Sequence, residues 1–330
     1  MKKLLLSLAV IVTAAGTTYA QTYTPDALKF SQSNFGSTAR FKGMGGAQIG
    51  VGGDMSSLGG NPAGLGLFTK SEFSLTPEFN SMSGKANYLT ANTSSSKDNL
   101  NLNNLGVVFY SPSLRAKGED TQTGVISTVF GLGYVRNNDF GAEFQYTGKN
   151  GENSIADFFS QRANRINIVP DDLDQGSITD MAYQGYIIGF GPASQGATPD
   201  YFAQTEVPVD QRQVEMRSGS TSELTAGGAL NISNQVYIGA SVGLVNVRYT
   251  NDSEFTEAGY NITEDSNYSL SFRKNQETTG SGFNARLGVI VRPVENFRIG
   301  ATLQTPTWLL IEDNTSFTLD SKIATGTHSG

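Results

Sequence analysis

The chain of 330 residues contains no cysteine, one histidine and one tryptophan. Without cysteine there are no disulfides, so hydrogen bonds and packing alone must hold the fold. A single imidazole, at His328, cannot build the common zinc sets or a Ser-His or Cys-His pair. Most acidic residues fall in segments that read as loops rather than in a cleft where a carboxylate pair could work. The composition therefore leads us to expect no enzyme, no cofactor and no metal. Asp171, Asp172 and Asp174 cluster, yet they miss the spacing of a calcium loop and read as a solvated acidic turn. Charged residues make up only 16%, the formal net charge is −7, and no basic run is present, so nucleic acid is not an expected partner. Beyond residue 20 no apolar run reaches the length of about 18 residues that a membrane-spanning helix needs.

The N-terminus carries a different signal. Lys2 and Lys3 precede an apolar run over 4–12, and Thr18, Tyr19 and Ala20 end in the small residue that signal peptidase requires. Residues 1–20 thus read as a leader cleaved before Gln21, and the protein as exported. The chain holds 38 Gly, 13 Tyr and 19 Phe, with many Asn, Ser and Thr. That composition suits an all-β fold, an antiparallel β-barrel of the outer membrane, with a soluble β-sandwich as the competing class.

Alternation favours the barrel. Phe283, Ala285, Leu287, Val289 and Val291 alternate with mostly polar or small residues, and after a short turn Phe297, Ile299, Ala301 and Leu303 do the same. Leu224, Ala226, Gly228, Leu230 and Ile232 form a third stripe, and Val236, Ile238, Ala240, Val242 and Leu244 a fourth. Period two over about ten residues is the length of a tilted membrane strand, whereas sandwich strands run to about five or six. At 244–245 the stripe changes parity, to Val245, Val247 and Tyr249, which predicts either a bulge or emergence of the strand from lipid. Residues 72–80, 104–111 and 124–136 make three more strands, the last with Ile126, Phe130, Leu132 and Tyr134 on one face. The connections at 233–235 and 292–296 are short, while 250–280 reads as a long, polar, acidic outer loop. Strand 236–249 therefore runs outward and 283–291 inward, with Tyr268, Leu270 and Phe272 as the start of that inward strand. The count comes to about seven, and single-chain barrels of this kind have even numbers, so the chain reads as about half of a longer barrel.

Residues 147–210 read as a long helical outer loop. Ser154 and Asp157 fit a capping box, and Ile155, Phe158, Phe159 and Arg162 follow at helical spacing. Ile178, Met181, Ala182, Gly185 and Ile188 define a second helix. These apolar residues either pack the two helices together or form an outer groove where a hydrophobic ligand docks. On their apolarity, Ile155, Phe158, Phe159, Tyr183, Tyr186 and Ile187 are the candidate groove residues.

The stretch 39–65 is too rich in glycine for a stable helix and too irregular for a strand. It completes neither G-x-G-x-x-G nor a Gly-Lys-Ser/Thr ending, which sets a nucleotide loop aside. A compact plug inside something larger accounts for it better than a mobile arm does.

In this stretch Arg40, Phe41, Lys42, Gly43, Met44, Gly45, Gly46 and Ala47, then Asp54, Met55, Ser56 and Ser57, then Asn61, Pro62, Ala63, Gly64 and Leu65 resemble the N-terminal hatch of the FadL-like family. That family comprises outer-membrane transporters of long-chain fatty acids and aromatic hydrocarbons. The runs 131–137, 154–157, 282–293, 298–301 and 304–307 are similar to it too, so that the resemblance spans most of 27–310. It implies a barrel of about 14 strands, with the hatch over 21–70 and part of the barrel wall over 71–330. It also implies a monomer whose partners are hydrophobic small molecules and outer-membrane lipid. Ligand would be caught among the outer loops, pass to a pocket by the hatch and leave sideways through the wall. Asn61, Pro62 and Ala63 would be the hatch element that shifts on binding. Some members of the family are instead adaptors of a protein-secretion machine, and a structural or porin-like barrel is a further alternative.

Overall fold

The computed structural model describes residues 24–32, 37–116, 120, 122–192, 199–323 and 326–329. The expected leader over 1–20 and its cleavage point lie outside these residues. The alternating segments form one antiparallel sheet of long strands, curled strongly into a half-barrel. Its first strands are β1 (Glu72–Tyr88), β2 (Ala91–Pro112), β3 (Val125–Asp139) and β4 (Ala142–Asn150). β5 (Ile188–Pro192) and β6 (Pro199–Ala203) pair only with each other. β7 (Thr205–Ile232), β8 (Val236–Asn261), β9 (Ser266–Val294), β10 (Phe297–Gln304), β11 (Trp308–Ile323) and β12 (Gly326–Ser329) follow. The sheet order is β1-β2-β3-β7-β8-β9-β11-β12; β4 continues β3 along β7, and β10 precedes β11 along β9. With each of those pairs counted as one interrupted strand, seven long spans run up and down ahead of short β12 among the described residues. His328 lies in β12, opposite Ser321.

The four apolar stripes lie on the exposed face: Leu224, Leu230, Ile238, Val242, Leu244, Phe283, Leu287, Val291, Ile299 and Leu303 are all exposed. In β7, β8 and β9 most of the intervening residues are buried and many are polar, among them Glu223, Thr225, Asn231, Ser241, Asn284 and Arg286. A sandwich buries the opposite set. At 244–245 the register of β8 with both neighbours is unbroken, so there is no bulge. There the exposed face turns polar, at Asn246 and Arg248, while Val245, Val247 and Tyr249 are buried on the inner face.

The expected outer loop over 250–280 is not a loop. β8 continues to Asn261 and β9 begins at Ser266, leaving a turn over 262–265. Polar side chains pair across these strands: Gln213 Nε2 donates to Ser253 Oγ (2.5 Å), Ser271 Oγ to Glu254 Oε1 (2.8 Å) and Gln276 Nε2 to Asp313 Oδ1 (2.9 Å). Such pairs stabilise strands whose exposed face carries no apolar stripe.

The expected loop over 147–210 shrinks to an insert over 151–204, because 147–150 and 205–210 belong to β4 and β7. Its helix α3 (Ile155–Ile166) opens with a complete capping box, Ser154 Oγ accepting from Ala156 N and the Asp157 carboxylate from Ser154 N. The second helix, α4 (Ile178–Gln184), stops short of Ile188. Gly185 ends it, Tyr186 takes a left-handed φ of 56°, and Ile188 enters β5 instead. Phe159, Met181 and Ile187 then pack with Tyr268, Leu270 and Leu319 on the inner face.

Glu257 latches this insert. It is buried and accepts from Ser154 Oγ (2.5 Å), Ile155 N (3.0 Å), Gln211 Nε2 (2.6 Å) and Tyr268 Oη (2.7 Å). Burial and the adjacent Glu257 carboxylate hold the Tyr268 phenol far above its usual range, so it stays a donor. Glu257→Leu strands these donors, at a cost of about 3 kcal/mol. Limited proteolysis should then cut within 151–204 at least about tenfold faster; unchanged cleavage would remove Glu257 as the latch.

Near the N-terminus, α1 (Thr24–Ser31) places Phe30 edge-on against Phe140 and Tyr249, with ring centroids 5.7 and 6.0 Å away. Lys29 Nζ sits 4.0 Å above the Tyr249 ring. After it comes α2 (Ala39–Gly43), capped by Thr38.

Candidate functional site

Residues 44–68 lie against the inner face as tight turns held by their own caps. Asp54 accepts from Ser56 N (2.9 Å) and Thr38 Oγ1 (2.8 Å), starting the 3-10 helix Met55–Leu58. Asn61 caps the next one, Pro62–Leu67, where Oδ1 accepts from Ala63 N (3.1 Å) and proline needs no N–H at the first position. Asn61 Nδ2 also donates to Ile49 O (2.7 Å) and across to Val289 O of β9 (3.2 Å). Ser241 Oγ of β8 donates to Leu58 O (3.0 Å), and Thr302 Oγ1 of β10 to Gly60 O (3.3 Å). Asn61, Pro62 and Ala63 are thus brought together, all buried, against β8 and β9.

Two strand glycines permit the approach. A Cβ on Gly288 would stand 1.9 Å from Asn61 Oδ1, and one on Gly239 2.4 Å from the Pro62 carbonyl. Only glycine leaves room for another segment this close to a strand.

Between this segment and the sheet lies a cavity of about 290 Å³, close to the lower limit for small-molecule sites. Phe41, Ile49, Met55, Leu58 and Val135 give it apolar walls; Ser37, Gln48, Asn104, Asn137, Thr225 and Gln304 supply polar groups, and no described lining residue is charged. Beside it sits a buried ion pair. Arg286 donates through Nη2 to Glu223 Oε2 (3.0 Å) and through Nη1 to Oε1, while Nε donates to Gln304 Oε1 (3.1 Å). Thr225 Oγ1 (2.8 Å) and Asn137 Nδ2 (3.1 Å) complete the shell around Glu223. At the same height the wall is interrupted over 305–307: Ala285 N takes the Thr305 side-chain Oγ1 (3.1 Å) as its acceptor, and Pro306 offers no donor.

The six residues expected to form an outer groove do not share one surface. Phe159 and Ile187 are fully buried in the insert's core, with Ile155 and Tyr183 packed against it. Phe158 is 53% exposed and lines a separate cavity of about 330 Å³ with Gln161, Arg162, Arg165 and Ile166. Tyr186, 45% exposed, lies at the left-handed turn. Asp171, Asp172 and Asp174 are exposed, and among the described residues no group of three or more His, Cys, Asp or Glu could hold a metal. The cavity by the N-terminal segment had no local sequence signal, since its walls come from 37–60, 104, 133–137, 225 and 302–304. A usable trace was the glycine at inner-face positions of successive strands, Gly106, Gly133, Gly239 and Gly288.

Compared with known protein families, curated proteins and solved structures, the chain matches none.

Proposed function

We propose that the chain forms the hatch and part of the wall of an outer-membrane channel that admits hydrophobic compounds passively. The observation that carries this reading is an uncharged, largely apolar cavity on the inner face of a sheet whose outer face is apolar. In lipid, that outer face needs no cover. Along β9 it runs from Phe283, in contact with Trp308 (5.0 Å between centroids), to Val291, close to the apolar band of about 25 Å in outer-membrane barrels once Phe297 is included. Residues 44–68 act as the hatch in this scheme, and the resemblance of 40–65 to the FadL-like hatch agrees with it.

The inner face offers apolar stations at successive heights: Tyr268 and Leu270 with the insert, Val245 to Tyr249 with Phe30, then Met55 and Leu58 at the cavity. Each CH₂ kept from water is worth about 0.8 kcal/mol, so a chain of such stations moves an apolar solute without a large barrier. The interruption over 305–307 is where the solute leaves sideways. Uptake of labelled oleate and toluene, by a deletion strain with and without the full-length gene, tests the reading. The gene should raise uptake of at least one of them, and Leu58→Trp should cut that gain about tenfold by filling the cavity. Equal uptake with and without the gene overturns it. Exposed Tyr186, Phe202 and Ile262 favour a second reading, an adaptor for protein secretion; it requires the deletion to abolish secretion and leave uptake intact.

A further inference from the structure

Resting on the outer-membrane placement that the channel and adaptor readings share, we infer that the far end of the wall docks a cationic polypeptide segment that also carries apolar side chains. At this end Phe202, Val207 and Ile262 stand exposed among acidic residues.

Lipid does not cover them. The apolar stripe of β8 stops at Leu244, and the strand runs on to Asn261. At about 3.3 Å per residue and a tilt of about 40°, its end stands about 40 Å above the apolar band. Yet Phe202 is 41% exposed and Ile262 52%. The fold gathers them at one end: Ile262 N donates to Gln204 O (2.9 Å), and Asn261 Nδ2 to Tyr186 O (3.0 Å). Val207 follows Glu206, which lies opposite Tyr260 in the β7–β8 pairing. Large apolar groups gathered in water mark a contact surface.

Charge names the occupant. Residues 166–211 and 249–272, which meet here, hold seven and five acidic residues and no Lys, Arg or His. Asp200 lies two residues from Phe202 on β6, and Asp265 accepts from Tyr260 Oη; Asp200, Glu206 and Asp265 are all exposed. Such a field repels a phosphorylated lipid head, and equally a second copy presenting the same face. Among the described residues no group of three or more His, Cys, Asp or Glu could hold a metal ion. A cation without apolar groups leaves Phe202 and Ile262 uncovered. A segment that mixes lysine or arginine with aromatic or aliphatic side chains answers both features.

The test is calorimetric titration of the full-length protein in zwitterionic nanodiscs, with empty nanodiscs subtracted. The probes are three soluble peptides of equal length: lysine-tyrosine, lysine-serine and glutamate-tyrosine. Lysine-tyrosine should bind at least about tenfold more tightly than either of the others, and should weaken about tenfold between about 50 and about 500 mM salt. Phe202→Ser with Ile262→Ser should bring the two lysine peptides to within about twofold. Asp200→Asn, Glu206→Gln and Asp265→Asn together should bring the two tyrosine peptides to within about twofold. All five positions are exposed, and the wild-type ratios decide even if a variant fails to fold. The inference is overturned by no binding, by either control peptide binding as tightly as lysine-tyrosine, or by binding that both variants leave unchanged. A dimer in detergent that the acid variant dissolves, or calcium binding that it abolishes, gives the face to a second copy or a metal ion and overturns it too. Cell assays keep the levels apart: the peptide order, with uptake and secretion both independent of the gene, sinks the two parent readings and keeps the docking face. Gene-dependent uptake or secretion without the peptide order does the reverse.

Discussion

Gly288→Val is expected to detach residues 49–67 from the sheet. A Cβ at this position meets Asn61 Oδ1 at 1.9 Å, the Asn61 Cγ at 3.0 Å and the Pro62 ring at 3.0 Å. None of these can step aside cheaply. Asn61 is 1% exposed and its amide is committed to Ile49, Ala63 and Val289. Overpacking a tight site costs about 1–3 kcal/mol in ordinary cores, and at a seat this close the upper end, about 3 kcal/mol, is expected. The cheapest relief is to lift the whole segment, which also opens the cavity. Hydrogen exchange over 55–67 should accelerate at least about a hundredfold, and bilayers containing the full-length variant should show an open ion conductance. Gly43→Ala, where a Cβ meets nothing within 4 Å, should change neither. Slow exchange retained in Gly288→Val would mean that the segment is held by something other than this seat.

Arg286→Met is expected to be the most destabilising single change in the wall. Glu223 has a side chain 2% exposed and would keep Thr225 and Asn137 as donors but lose its cation. Leaving one partner of a buried pair costs about 3–5 kcal/mol, visible as a lower urea midpoint in detergent. Adding Glu223→Gln removes the orphaned charge while keeping an acceptor for Thr225 and Asn137, so the double variant should regain most of the loss. A double variant no better than Arg286→Met would show that Arg286 matters through packing or Gln304 rather than through charge.

The parts of the fold legible in the sequence are those with strict apolar alternation. The stripes at 224–232, 236–244, 283–291 and 297–303 lie within β7, β8, β9 and β10, and the span count came from them together with the strands read over 72–80, 104–111 and 124–136. Strand 250–261 was missed because its exposed residues, Asp252, Ala258 and Tyr260, make no regular apolar period. Its pairing shows in cross-strand partners like Asn251 and Gln276, which are distant in sequence. The capping box at Ser154 was readable because its residues are three apart, whereas the end of α4 turned on a left-handed Tyr186 that apolar spacing does not encode. The cavity and the Glu223–Arg286 pair escaped for the same reason: partners 63 residues apart carry no local pattern. The glycines of the strands were grouped with Ser, Thr and Asn as an ordinary polar lining, although Gly239 and Gly288 are where Asn61 and Pro62 press against the sheet.

The central claim is that the sheet turns its apolar face to lipid and its polar face to residues 44–68. Because the chain has no cysteine, single cysteines can report on it directly, each carrying a bimane fluorophore in bilayers of brominated lipid. Val242→Cys and Leu287→Cys, on the exposed face, should be strongly quenched, whereas Leu58→Cys, buried beside the cavity, and Asn275→Cys, above the apolar band, should not. Unquenched labels at Val242 and Leu287, or quenching at Leu58 as strong as theirs, would contradict it.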